Sequence, residues 1–193
     1  MQYLQYLVII GAIVNLIGKA SYIKETLRGK TKPNRISWLL WTIAPLIATA
    51  AALEDGVRWA VLPVFISGFG PLLVLLASFF NKKSSWKLEK FDYACGIFSG
   101  LALVFWFITK EPTVAIAFAI ASDGFAAIPT LIKLWKYPET ETANAYVAGL
   151  FSSLTSFAAV GMWSFSSVAF PTYLVLINSF LVLAVYKKKI IGR

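Results

Sequence analysis

Seven runs of mostly apolar residues, each long enough to cross a bilayer, fill this 193-residue chain almost from end to end. They run from about Tyr3 to Ala20, Ile36 to Leu53, Val57 to Phe80, Phe91 to Thr109, Thr113 to Trp135, Ala143 to Trp163 and Val168 to Tyr186. A spanning helix needs roughly 20 such residues, so seven of them use about 140. Six connections and two tails share the rest, and none is long enough for a soluble domain. The runs are continuously apolar and do not alternate, which excludes a membrane β-barrel. Hydrophobic residues make up 59% and charged residues 14%, against roughly a quarter charged in soluble domains. That excludes a water-soluble globule and a disordered chain alike. The expected fold is an all-α integral membrane protein with seven transmembrane helices. The first run is read as a span and not a cleaved leader, because no basic residue precedes it and no small-x-small site follows.

Charge placement sets the expected orientation. The chain holds 18 Lys and Arg against 9 Asp and Glu. Lys24, Arg28, Lys30, Lys32 and Arg35 fill the first connection, with Lys19 just before it. Lys82, Lys83, Lys87 and Lys90 fill the third, Lys133 and Lys136 the fifth, and Lys187, Lys188, Lys189 and Arg193 the tail. Only Arg58 and Lys110 fall on the other side. The positive-inside rule then puts the C-terminus in the cytoplasm and the N-terminus outside. Short loops suit a prokaryotic inner membrane. The basic clusters flank spans without base-stacking aromatics between them, so nucleic acid is not an expected partner. The lipid bilayer and a small polar solute are, and a homo-oligomer is left open.

The segments repeat. The first connection, from Ser21 to Arg35, and the fifth, from Pro129 to Thr142, each end a span, cross a proline-bearing polar stretch and start another. A shift of 108 residues sets Asn15 opposite Asp123. Leu72 to Phe79 likewise matches Tyr173 to Phe180, with Ala77 opposite Asn178 and Ser78 opposite Ser179. The expected plan is 3+1+3: a triple-helix repeat over 1–80, a linker helix with its loops over 81–112, and a second triplet over 113–193. The single linker span makes the triplets parallel, related by an axis along the membrane normal, with a shared interface near the midplane.

The stretch Pro129-Thr130-Leu131-Ile132-Lys133-Leu134-Trp135-Lys136, followed by Glu139-Thr140-Glu141-Thr142, resembles the PQ-loop motif at the end of a fifth span. The layout resembles the SWEET and PQ-loop transporter superfamily along nearly the whole chain; the motif covers about residues 120–145. Thr130 stands where the motif has glutamine, and Ser21-Tyr22 stands at the dipeptide of the first repeat. The resemblance implies transport of a sugar, an amino acid or a similar small polar solute. Asn178 resembles the seventh-span asparagine of the SWEET sugar pocket, while Ala77 takes the place of its third-span partner.

Asp123 is the sharpest single residue, lying well inside the fifth run. An isolated carboxylate there costs roughly 2.5–3.5 kcal/mol on insertion scales, so it should face the bundle interior or a wet cavity. It is the candidate for proton coupling and for hydrogen bonding to a solute; pairing with Lys19 or Asn15 is the structural alternative. Asn15 and Asn178 are mid-span amides, read as pocket lining or as interhelical glue. Trp38 and Trp41 share a helix face; Trp38 is read as part of the interfacial belt and Trp41 as a stacking wall. Ser153 and Ser156 belong to a hydroxyl-rich stretch that would line a pocket or bond its own backbone. Gly70 and Pro71 are expected to break the third span, and with Pro129 they are the candidate hinges.

These residues point first to a transporter. A non-transporting receptor or assembly protein on the same scaffold is the alternative. An enzyme is not expected: there is no histidine, Cys95 is the only cysteine, and no second catalytic group accompanies Asp123. The same scarcity of ligands leaves no metal site or cofactor to predict.

Overall fold

The computed structural model describes residues 4–81, 84, 86–109 and 111–190. Tyr3, Lys82, Lys83, Lys110 and Arg193 lie outside them. The described residues form seven α-helices: α1 Leu4–Leu27, α2 Arg35–Glu54, α3 Leu62–Phe80, α4 Lys90–Thr109, α5 Pro112–Lys136, α6 Asn144–Ser156 and α7 Phe165–Ile190. Six are long and apolar enough to cross a membrane. In hydrocarbon a backbone must satisfy its own polar groups, and an all-helical chain does so. The chain is thus built as an integral membrane protein.

The sixth helix is the exception. It has 13 residues, followed by a 3-10 turn at Phe157–Ala159. At 1.5 Å per α-helical residue and 2.0 Å per 3-10 residue it reaches ~26 Å, short of a ~30 Å hydrocarbon core. The expected span to Trp163 therefore stops early. Its last turns carry hydroxyls bonded to their own backbone: Ser153 Oγ donates to Gly149 O and Thr155 Oγ1 donates to Ser152 O. Such bonds compete with the helical ladder.

Sequence signals account for several other helix ends. Asn34 caps α2, its side-chain oxygen accepting from Ile36 N and Ser37 N. Pro112 opens α5 at the first turn, where its missing N–H costs nothing. Gly29 and Gly56 take positive φ in the turns after α1 and α2, a conformation that a Cβ disfavours. The break expected at Gly70-Pro71 is not there. The helix runs unbroken from Leu62 to Phe80, and α5 likewise runs through Pro129. The discontinuity in the third segment falls earlier, at the 3-10 turn Trp59–Val61.

Six helices close a ring in the order α1, α3, α2, α5, α7, α6, and α6 returns to α1. Within this ring α3 packs on both α1 and α2, and α7 packs on both α5 and α6. The α4 helix lies outside, mainly against α5. It exposes Ile97, Phe98, Phe105, Phe107 and Ile108, an apolar face suited to lipid.

Two glycines let α1 approach α6. A Cβ at Gly11 would lie 2.2 Å from Thr155 Oγ1, and one at Gly18 would lie 2.4 Å from the Ala148 Cβ. Close backbone approach at small residues is how membrane helices gain dispersion contact. Gly100 on α4 meets nothing within 4 Å. Gly18→Val should therefore destabilise the protein by about 1–3 kcal/mol through overpacking, while Gly100→Val leaves the α4 packing intact. Thermal unfolding of the two variants in detergent checks this; equal Tm values would refute the close packing.

Candidate functional site

A cavity lies among the ring helices. Its walls include Asn15 and Lys19 from α1, Trp41 from α2, Ser67 and Pro71 from α3, and Asp123 from α5. The α6 helix adds Tyr146 and Gly149, and α7 adds Leu174, Ile177, Asn178 and Leu181. Every ring helix contributes; α4 does not. The cavity measures about 40 Å³, room for a water or so and far below the roughly 300 Å³ at which ligand pockets begin.

Helix packing explains why these side chains converge. Polar groups in spans cannot face lipid cheaply, and the ring interior is the alternative. Asp123 is 3% exposed, near the middle of the 25-residue α5. Tyr173 OH donates to its Oδ2 at 2.7 Å, and Trp41 Nε1 donates to its backbone oxygen at 3.3 Å. Lys19 is buried, within electrostatic reach of Asp123 and Glu141, and its ammonium lies 5.4 Å from the Trp38 ring centroid. Its stem crosses Gly70, where a Cβ would come within 2.8 Å of Lys19 Cγ. Gly70 thus makes room for a buried lysine. Asn178 uses Nδ2 to donate to Leu174 O at 2.8 Å, while its oxygen rests over Gly149. Asn15 is 1% exposed, and neither of its amide atoms has a hydrogen-bond partner.

Of the residues singled out from the sequence, Asn15, Trp41, Asp123, Asn178 and Pro71 meet at this cavity. Ser153 and Ser156 do not line it. Both are fully buried, Ser153 bonded to its own helix and Ser156 Oγ without a partner. Trp38 is no belt residue: it is fully buried, 4.8 Å from the Tyr22 ring and 5.4 Å from Trp41. The α1 helix continues to Leu27, past the end expected at Ala20, and that extra length carries Tyr22 down to cover it. Pro129 is buried in α5 but is not part of the cavity wall.

Beside the cavity, toward the first and fifth connections, lies a network that the sequence reading missed. Lys133 and Glu141 form a buried ion pair. Glu141 also accepts from Tyr22 OH at 2.6 Å and Tyr146 OH at 3.0 Å, and Lys133 donates to Lys32 O at 2.6 Å. Lys32 N donates to Thr140 O at 3.0 Å, tying the two connections together. Lys133 and Glu141 are eight residues apart with a helix end between them, so loop composition alone assigns both to solvent. The acidic residue five before a tyrosine at the next helix start was the available signal.

At the opposite end the ring is filled by apolar side chains, including Val61, Val64, Ile116 and Phe170. One end is therefore held by ions and hydrogen bonds, the other by dispersion, with the cavity between. Among the described residues no group of three His, Cys, Asp or Glu could hold a metal ion. Comparison with family models, curated proteins and solved structures returned no match.

Removing one member of a buried ion pair strands the other, typically at ~3–5 kcal/mol. Glu141→Leu should lower stability by about that much, and adding Lys133→Met should recover most of it. Denaturant or thermal unfolding of the single and double variants checks the coupling; additive losses would refute it.

Proposed function

We propose that this chain transports a small polar solute by alternating access, with its binding site at this cavity, which widens to admit the solute. The observation that carries the proposal is the cavity itself: a mid-bundle chamber, lined by six helices, holding a carboxylate, an ammonium and two amides. Buried ionisable residues in a membrane bundle are default markers of a solute or ion path.

In this reading the helices form two parallel triplets, α1–α3 and α5–α7, with α4 as the linker and the shorter α6 as the seventh span. Helix contacts support it. The third helix of each triplet packs between the other two, and the triplets meet through α1 with α6 and α2 with α5, the pairing that a two-fold axis along the membrane normal produces. The PQ-loop resemblance supports the same plan. The two repeat-related positions, Tyr22 and Thr130, each reach across the triplets: Tyr22 OH to Glu141, and Thr130 Oγ1 to Ser37 Oγ at 3.0 Å. Described lysines and arginines concentrate at the end of the first, third and fifth connections, which favours that end as cytoplasmic and the N-terminus as external. Rocking of the triplets would part the ionic end and the apolar end in turn, with Gly70, Pro71 and Pro129 as the positions that flex.

Asp123 is the proposed proton carrier, facing Lys19 across the cavity and Tyr173 at its oxygen. The test is uptake into proteoliposomes of labelled sugars, amino acids and vitamins, with a proton gradient imposed in either direction. One solute class should accumulate faster with the gradient. Asp123→Asn should abolish that stimulation while leaving thermal unfolding close to wild type. Flux of no solute by folded, inserted protein would overturn transport and favour a receptor-like binder; unchanged gradient dependence in Asp123→Asn would overturn the coupling role alone.

A further inference from the structure

We propose that the cavity selects a zwitterionic solute, with Lys19 holding its carboxylate and Asp123 its ammonium; this rests on the transport reading above. Both side chains line the same small chamber, from α1 and α5, and both are more than nine-tenths buried. Among the described residues no ion pair closer than 4 Å involves either one. They are opposite charges in one low-dielectric chamber that do not neutralise each other by contact. Tyr173 occupies only one Asp123 oxygen. The Lys19 ammonium has the Trp38 ring beside it and no hydrogen bond among the described residues.

Asn15 adds an independent observation. It lines the same chamber, is 1% exposed, and has both its amide N–H and its carbonyl oxygen without a partner. A buried polar atom left unsatisfied is costly, and native structures seldom leave one so. An amide side chain can donate to a carboxylate through its N–H and accept from an ammonium through its oxygen at once. The chamber therefore offers a cation, an anion and a bifunctional amide, each with unused capacity. A neutral sugar would leave the two charges only each other's field at a distance, a simple amine would leave Lys19 without a contact partner, and a simple carboxylate would leave Asp123 without one. A compact solute bearing both groups, of α-amino acid type, satisfies all three. Trp41, Leu174, Ile177 and Leu181 supply an apolar wall for the remainder of the solute.

The test is uptake into proteoliposomes of the twenty labelled L-α-amino acids as a mixture, alongside labelled glucose, lactate and ethanolamine. Wild type should carry the amino acids in preference to the other three. Loss of one buried charge partner should lower that uptake at least about thirtyfold. Selectivity should also invert in opposite senses: Lys19→Gln should favour ethanolamine over lactate, and Asp123→Asn lactate over ethanolamine, which loss of packing alone would not produce. As a check independent of the variants, the amino-acid mixture should raise the Tm of the wild-type protein and glucose should not. Glucose uptake that amino acids do not compete for would overturn the zwitterion assignment and leave transport standing. Equal effects of both variants on all four probes would overturn it as well. Flux of none by folded wild-type protein would overturn the transport reading and this assignment with it.

Discussion

Hydrocarbon offers no partner to a polar group, and the architecture follows from where this chain puts the few polar groups its helices carry. Asn15, Lys19, Asp123 and Asn178 are all buried at the cavity, while Ile13, Ile17, Phe105 and Leu176 face outward. Six helices can hide such groups only by turning them towards a common centre, and a ring does that. The α4 helix carries few buried groups that need the centre. Its Ser99 bonds Ser122 on α5 and its Asp92 accepts from Asn34, while its exposed face is largely apolar. Linker and ring are thus distinguished by polarity before they are distinguished by any function.

The two ends of the ring are built from different physics. At the basic end Lys133, Glu141, Tyr22 and Tyr146 share a buried network, and Asn34 donates to Asp92 Oδ1 at 2.9 Å to hold α4 to the same end. Directional bonds of this kind give one well-defined arrangement when complete and are costly when partly broken. At the other end Val61, Val64, Ile116 and Phe170 close the ring by packing, which has no angular requirement. Under the proposed alternating access, the two closures would respond to different disturbances. The glycines serve both: Gly11 and Gly18 draw α1 against α6, while Gly70 and Gly149 make space for Lys19 and Asn178.

Much of the helical plan was legible because lipid imposes it: the boundaries of α2, α4 and α5 fall within a residue or two of the apolar runs. Asp123, Asn15, Trp41 and Asn178 were legible for a related reason, since a polar or amphipathic side chain deep in an apolar run has few places to go. What was not legible depended on three-dimensional pairing. Hydropathy cannot tell that α6 ends at Ser156, short of the apolar run. Position at a span edge made Trp38 look interfacial, whereas the extra turns of α1 bury it beneath Tyr22. Lys19 and Lys133 counted as topogenic loop charges, and both are internal. Glu141 was hidden in the same way, because its partner reaches it only after α5 ends and the chain turns back. Gly70 and Pro71 signalled a break from local sterics, but α3 runs unbroken through them.

The central claim is that the closed chamber opens to each face of the membrane in turn. Its most direct test is cysteine accessibility at the chamber wall. Cys95 is the only cysteine and is buried, so Cys95→Ser gives a cysteine-free background, and Ser67→Cys then places one thiol at the cavity. Inside-out and right-side-out vesicles would be treated with a membrane-impermeant thiol reagent. Labelling from both faces, slowed by the transported solute, is the result that alternating access predicts. Labelling confined to one face in vesicles of both orientations, with the protein folded and correctly inserted, would contradict it.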